Sequence, residues 1–275
     1  MLPIRNLVLI VNPDKSGAIA LAEVLLRQAK EASVAVTVIQ KDAQALSPGF
    51  LKGSDAGCTI GGDGTLLSVV EEAVREQTPI LGINCGKLGF MTAFSAAEAE
   101  TNFTQFLQGH CAIADRWVLK CESACKAGVV WALNDVVVKV DAARLTHFTV
   151  SAEAQWVNRY ASDGLIFCTP TGSTAYNLSA GGPLIDPEAE VIAMTPICPH
   201  TLSNRTVIFN RHTVLKIALS EEIPVRVSRD GRICFADVQD FPLTIKVASR
   251  FFKLVHLPDY SYYQMVRAKL GWGQT

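Results

Sequence analysis

The chain has 275 residues, 49% apolar and 19% charged, a globular composition that excludes a disordered or fibrous protein. Its 25 Lys and Arg against 26 Asp and Glu leave a net charge of −1. Bulk attraction to nucleic acid or to an anionic membrane is therefore excluded, and any anionic ligand needs a local site. A chain of this length allows one large domain or two small ones, and burial of roughly 73% of the unfolded surface. From the N-terminus, Leu7–Val11 is a strand closed by Asn12-Pro13, and Ala18–Ala32 carries apolar residues at helical spacing. Val34–Ile39, Gly57–Ile60 and Pro79–Ile83 are further apolar strands. Leu66–Val74 reads as one helix and Ala96–Leu107 as another, with Ser95 as its N-cap. Strands that are apolar throughout are buried on both faces, which predicts a parallel sheet covered by helices.

Near Asp115 the pattern changes to alternation, as in Phe148–Ala152, Val225–Arg229 and Leu243–Val247. Short alternating strands separated by Gly, Pro, Asn and Asp predict a two-layer antiparallel β domain. The expected division is an α/β domain over residues 1–110 and a β-rich domain over residues 111–257. Residues 258–275 form a tail that can pack back on the first domain, and Tyr262–Leu270 is a short helix. The eight cysteines are scattered without C-x-x-C spacing. The closest pair, Cys121 and Cys125, has no neighbouring His or Cys to complete a zinc site. Nor do the five histidines show metal-ligand spacing. The N-terminal apolar run is too short for a signal segment, and no stretch approaches the ~20 apolar residues of a membrane span. The expectation is a soluble cytoplasmic protein with reduced thiols.

Four segments carry chemistry. Gly61-Gly62-Asp63-Gly64-Thr65 lies between an apolar strand and a helix. It reads as a phosphate loop of Gly61, Gly62, Gly64 and Thr65 around one carboxylate, or as a connecting turn whose Asp caps the helix. It has neither a Walker A lysine nor G-x-G-x-x-G spacing. A second cradle is Thr169-Pro170-Thr171-Gly172-Ser173-Thr174 after the strand Leu165–Cys168, with Tyr176 offering a ring for stacking; a capped helix between β segments is the plainer alternative. Asn134-Asp135 interrupts a β-prone run, which is costly unless the pair sits at a bulge, a turn or polar ligand atoms. Asn84–Phe90 is a glycine-containing loop after a strand.

Together these residues resemble the NAD kinases. The resemblance covers Asn12-Pro13, Gly61–Thr65, Asn84–Phe90, Asn134-Asp135, Asp163–Pro187 and Thr195–Arg205, in the family's order. It implies an α/β N-terminal domain with a β-rich, NAD-binding C-terminal domain and a site between them. It also implies transfer of the ATP γ-phosphate to the 2′-hydroxyl of the NAD adenosine ribose, with a divalent metal, Mg²⁺. ATP and polyphosphate are the donors it allows, and homodimers or homotetramers the assemblies; nucleic acid and membrane are not partners. By the same resemblance Asp63 is the proton acceptor for the 2′-hydroxyl, and Asp63, Gly64, Phe90, Asn134, Asp135, Asp163, Thr174, Ala175, Tyr176, Asn177, Leu178 and Ser179 contact NAD. Several positions depart from the family pattern: Ser68 where Arg is common, Asp135 where Glu is common, Arg232 where Gln is usual, Tyr160-Ala161-Ser162 where a basic residue often stands, and Thr206 where Pro is usual. Arg232 is a candidate for the charge missing at Ser68. An NAD-binding module without catalysis, and a related kinase with another hydroxyl acceptor, are the rival readings.

Overall fold

Apolar runs without alternation form strands that are covered on both sides, and those of the first hundred residues do so. In the computed structural model β1 (Asn6–Val11), β3 (Ala56–Gly61) and β4 (Ile80–Asn84) are buried almost throughout. The structure describes residues 1–41, 46–86, 89–92, 94–125, 128–140, 146–201, 205–220, 224–258 and 260–273. Lys87 and Leu88 of the Asn84–Phe90 loop, and Leu202, Ser203 and Asn204 of the Thr195–Arg205 segment, lie outside the described residues.

The chain divides into unit 1, Met1–Asp115 with Phe252–Thr275, and unit 2, Arg116–Phe251. Unit 1 begins β1, α1 (Ala18–Glu31), β2 (Ala35–Gln40), β3, α2 (Asp63–Leu67), α3 (Val70–Glu76), β4, β5 (Phe94–Ser95) and α4 (Ala96–Leu107). β2, β1, β3 and β4 pair in parallel in that order. Leu7, Leu9 and Val11 of β1 pack with Leu21 and Leu25 of α1 and Phe103 and Phe106 of α4 in one core. The apolar pattern alone predicts a buried β2, yet its side chains are largely exposed; it is the end strand of the sheet, paired only with β1. The helix expected over Leu66–Val74 is broken into α2 and α3. At the break the Ser68 hydroxyl donates back to the Thr65 carbonyl at 2.6 Å, a local bond that competes with the helical ladder.

After β6 (Ala112–Ser123), unit 2 continues with β7 (Val129–Ala132), β8 (Asp135–Val140), β9 (Thr146–Ala152), β10 (Gln155–Ser162), β11 (Gly164–Cys168) and α5 (Tyr176–Ser179). It closes with β12 (Val191–Ile197), β13 (Val207–Asn210), β14 (Leu215–Leu219), β15 (Val225–Arg229), β16 (Arg232–Phe235) and β17 (Leu243–His256). The last residues of β17 and α6 (Tyr262–Leu270) belong to unit 1, where Leu254 and Val255 pair in parallel with Ile80 and Leu81. One antiparallel sheet of unit 2 runs β13-β12-β11-β8-β15-β16, and β10, β9, β14 and β17 pair in a second antiparallel array. Val136, Val138, Leu165 and Phe167 of the first meet Phe148, Val150, Leu215 and Ile217 of the second in one core. Because side chains alternate along a strand, Asp135, Val137 and Lys139 of β8 face away from that core.

The structure thus has the expected α/β unit with a parallel sheet followed by a β-rich antiparallel unit. α4 is capped as its sequence indicates: the Ser95 hydroxyl accepts from Glu98 N–H and the Glu98 carboxylate accepts from Ser95 N–H. Ser95→Ala is expected to lower the unfolding free energy by about 1 kcal/mol without changing the fold, read from urea unfolding.

Candidate active site

In a parallel sheet, ligands bind beyond the carboxyl ends of the strands. In unit 1 those ends are followed by Asn12 after β1, Gly62 after β3 and Cys85 after β4. Asn12, Gly62, Asp63, Gly64 and Asn84 line a cavity of about 490 Å³ there. A Cβ built on Gly62 or Gly64 would meet nothing within 4 Å, so the missing side chains leave open space for a ligand rather than relieve crowding in the fold. α2 itself has only five residues, too short for its dipole to supply much of the charge a phosphate needs. Three cations, Lys15, Lys41 and Lys269, line the cavity. Sequence reasoning missed all three, since they are far apart in the chain. Lys41 Nζ donates to the Gly64 carbonyl at 3.4 Å. Arg232, the sequence candidate for the charge missing at Ser68, stands on β16 of unit 2.

The Asp63 carboxylate is engaged by its own unit. Oδ2 accepts from Phe90 N–H at 2.8 Å. Oδ1 accepts from Met91 N–H at 3.3 Å, Thr92 N–H at 3.1 Å and Thr92 Oγ1–H at 3.0 Å. A carboxylate offers about four lone-pair sites, so little acceptor capacity remains. Gly89 makes this approach possible: a Cβ there would lie 2.0 Å from Asp63 Oδ1. Asp63 therefore ties the glycine loop to the Phe90–Thr92 segment. Oδ1 is fully engaged, and the remaining acceptor site for a proton or hydroxyl is on Oδ2, which takes one donor.

In unit 2 a cavity of about 550 Å³ is lined by Asn134, Asp135, Lys139, Tyr176, Arg226 and Asp230, among others. Asn134-Asp135 lies where β7 ends and β8 begins, and a third carboxylate makes that break possible. Asp230 accepts from Leu133 N–H at 2.9 Å, Asn134 N–H at 2.7 Å and Asp135 N–H at 3.2 Å. Asp230 and Gly231 both have positive φ, 45° and 77°, in the turn between β15 and β16. An Asp-Gly pair between two strands is a sequence signal for such a turn, one that sequence reasoning missed. What the sequence hid was the use of the Asp side chain across the sheet.

Burial, reinforced by the Asp230 charge, pushes the Asp135 carboxyl up to about 7. Burial also raises Asp230, opposed by its three backbone donors and by Arg229. Lys139 and Arg226 are direct cross-strand partners. Two like charges held opposite each other are unfavourable unless they share an anion or a carboxylate. The 3₁₀ turn Thr171–Thr174 is pressed against Asn134: a Cβ on Gly172 would lie 2.0 Å from the Asn134 carbonyl oxygen. Tyr176 is exposed and lines the cavity.

Of the other residues expected to contact NAD, Thr174, Ala175 and Leu178 are half-buried on this turn and on α5, and Ser179 and Asp163 are exposed. Asn177 is different. Its Nδ2 donates to the Ser173 and Pro183 carbonyls and its Oδ1 accepts from Thr195 Oγ1 at 2.6 Å, fully buried. Its side chain is spent inside the unit and braces α5 rather than facing a ligand.

A model of the ATP-NAD kinase N-terminal domain matches residues 46–111, and one of the ATP-NAD kinase C-terminal domain matches residues 133–257. The chain belongs to the NAD kinase family. The NAD kinase of Syntrophotalea carbinolica is 39% identical over 220 residues, 78% of this chain and 77% of that protein. The NAD kinase of Magnetococcus marinus is 38% identical over 229 residues, 82% and 76% of the two chains. Among solved structures, yeast NADH kinase complexed with NADH superposes with a TM-score of 0.85 at 24% identity, covering 99% of this chain and 89% of that one. An NAD kinase from Archaeoglobus fulgidus in complex with ATP gives 0.78 at 23%, covering 97% and 98%. Both likenesses establish the shared fold.

A divalent metal is expected of such a kinase, but the described residues do not form a resident site for one. No three His, Cys, Asp or Glu side chains converge among them, and the described lining of the unit 1 cavity holds one carboxylate, Asp63.

The Asp135 environment generates a pH prediction. Its carboxyl ionises near ~3.9 in the unfolded chain and near about 7 in the folded one. Below the lower value both states are protonated and nothing is lost. As pH rises through that window the unfolded state ionises first, so folding stability falls, and the loss is complete above about 7. Denaturant unfolding across this range should show that decline in the wild type and a flatter profile in Asp135→Asn.

Proposed function

We propose that the protein phosphorylates the 2′-hydroxyl of the NAD adenosine ribose with ATP, making NADP and ADP. The observation that carries this reading is the family match over both units, joined to two cavities of suitable chemistry. In this assignment the unit 2 cavity takes the dinucleotide. Asn134 and Asp135 address ribose or base polar atoms, and Tyr176 offers its ring to a base. Asp163, Thr174, Ala175, Leu178 and Ser179 complete the contacts, Leu178 through its backbone and apolar side chain. The cation pair Lys139 and Arg226 supports an anionic ligand there. The unit 1 cavity takes the donor's phosphates on Gly61, Gly62, Gly64 and Thr65, with Phe90 and Asp63 addressing the acceptor.

In the reaction the 2′-oxygen bonds to the γ-phosphorus, the bond from that phosphorus to the bridging oxygen breaks, and ADP leaves. The transition state is loose, so positioning and charge neutralisation matter more than a strong base. We assign the hydroxyl proton to Asp63, at Oδ2, which accepts only from Phe90 N–H, late in the transfer. The charges that this chain itself supplies are lysine ammonium groups. Mg²⁺ belongs to this reading as an ion that would arrive with the donor's phosphates and add to that neutralisation. Inorganic polyphosphate presents the same charge and is the donor to test beside ATP. We place the protein in the cytoplasm as a homodimer or homotetramer; its eight free cysteines suit a reducing compartment. No helix among the described residues is long and apolar enough to cross a membrane.

Purified protein with ATP, Mg²⁺ and NAD is expected to release NADP. Asp63→Asn should lower kcat by about 10²-fold or more. It should also lower Tm, because an amide nitrogen would face Phe90, Met91 or Thr92 N–H and leave a buried donor unpaired at about 1–3 kcal/mol. A side chain acting only on the proton would lower kcat and leave Tm unchanged. Bound NAD without NADP would favour a binding module; ADP release on another alcohol would favour a different acceptor.

A further inference from the structure

The chain is neutral to within one charge, yet among the described residues one cavity gathers three lysines and a single carboxylate. Lys15 comes from the β1–α1 loop, Lys41 follows β2, and Lys269 lies in the last turn of α6. Lys269 is placed by the helix that carries it. Met265 and Val266 are buried, and Lys269, four and three residues on, shares their face of the helix. Its stem can follow that apolar face while its ammonium reaches the cavity. Nζ stands 5.4 Å from the centre of the Phe90 ring, and Phe90 N–H is the donor to Asp63 Oδ2 at 2.8 Å. The charged end of α6 therefore rests on the same segment that holds the glycine loop's carboxylate. α6 is itself fixed at both ends, by the Ser261 hydroxyl accepting from Gln264 N–H and by Gly271 in the left-handed region at φ 67°.

We infer that Lys269 is a donor-binding residue that, with Lys15 and Lys41, takes the polyphosphate chain of the phosphoryl donor. This inference rests on the kinase reading above and extends it to residues that neither the glycine motif nor the domain matches include; Lys15, Lys41 and Lys269 all lie outside residues 46–111 and 133–257. Among the described residues three ammonium groups and one carboxylate line the cavity, beside the open faces of Gly62 and Gly64. A polyanion matches that lining better than a neutral or singly charged ligand does. The inference also accounts for Ser68. The hydroxyl there is turned back on Thr65, and cations from elsewhere in the chain do the work of the absent arginine. The shared ligand chemistry is a linear triphosphate, which a nucleotide or an inorganic polyphosphate can present.

Lys269→Met keeps the stem against Phe90 and removes the charge, and Lys269→Arg keeps the charge. Loss of one charge-assisted contact to phosphate corresponds to about 10-fold or more in affinity. Lys269→Met should therefore raise the KM for ATP by about that factor while the KM for NAD changes less than about 2-fold. Calorimetric binding of inorganic tripolyphosphate should weaken similarly, and Lys269→Arg should recover most of both losses. Equal rises in both KM values with a lowered Tm would show that Lys269 only packs α6 and would overturn the inference, as would unchanged ATP and tripolyphosphate binding in Lys269→Met. If the wild type makes no NADP, the kinase reading fails on its own. Tripolyphosphate calorimetry still decides the role of Lys269. If ATP binding weakens and tripolyphosphate binding does not, the site reads the nucleoside and the inference falls.

Discussion

A buried backbone N–H without a partner costs on the order of 1–3 kcal/mol, and a loop shaped to meet a ligand cannot use a sheet ladder to satisfy its amides. Both units meet this constraint with a carboxylate that collects consecutive N–H groups. In unit 1 Asp63 gathers the amides of Phe90, Met91 and Thr92. In unit 2 Asp230 gathers those of Leu133, Asn134 and Asp135. The consequences reach well past the loops. Holding Asp63 against Phe90–Thr92 demands Gly89 and sets Phe90 under the Lys269 ammonium. Holding Asp230 under Asn134-Asp135 puts two carboxylates in one buried region, and burial, reinforced by the Asp230 charge, raises Asp135 toward neutral pH. The electrostatics of each cavity thus follow from how its backbone is satisfied.

Elements with local signals were legible in the sequence. α4 carries its own cap in Ser95 and Glu98, and Tyr262–Leu270 forms the predicted helix between Ser261 and Gly271. The parallel strands were legible because burial on both faces leaves unbroken apolar runs. β2 shows the limit of that signal: the same apolar run serves at a sheet edge, where position in the strand order decides exposure. The Leu66–Val74 helix fails for a local reason that periodicity cannot weigh, a serine hydroxyl bonding back to Thr65. The glycine loop, Asn134-Asp135 and Tyr176 were found from residue type and spacing, and each lines a cavity. Asp230 and the three lysines were not found, because their roles depend on pairings across a sheet and across the whole length of the chain. No window of sequence contains them.

The departures from the family pattern divide along the same line. Thr206 stands where Pro is usual, and its hydroxyl lies 2.8 Å from that of Thr195, which also donates to Asn177 Oδ1. Asn177 in turn holds the Ser173 and Pro183 carbonyls. A proline could contribute no such hydroxyl, so the substitution adds a member to a buried polar network that braces α5. In such a network each satisfied member restricts the others. That explains why Asn177, which the family resemblance puts among the NAD contacts, has its side chain used for support. Its neighbour Tyr176 lines the cavity, where its ring is open to a ligand.

Asp135 is the departure with chemical consequences. The Asp135 carboxylate is one methylene shorter than that of a Glu; it is buried and feels the Asp230 charge. Depth removes water and proximity adds like charge; both favour the neutral acid. A carboxyl poised near about 7 can donate a hydrogen bond when protonated and only accept when ionised. A ribose hydroxyl, as donor and acceptor, is matched by both forms, whereas a ligand atom that only accepts is matched by one. Lys139 and Arg226 line the same cavity, and an anionic ligand seated there adds like charge beside Asp135. Ligand charge and the Asp135 proton are therefore linked, and the sign is fixed: a more anionic ligand in this cavity favours the protonated carboxyl.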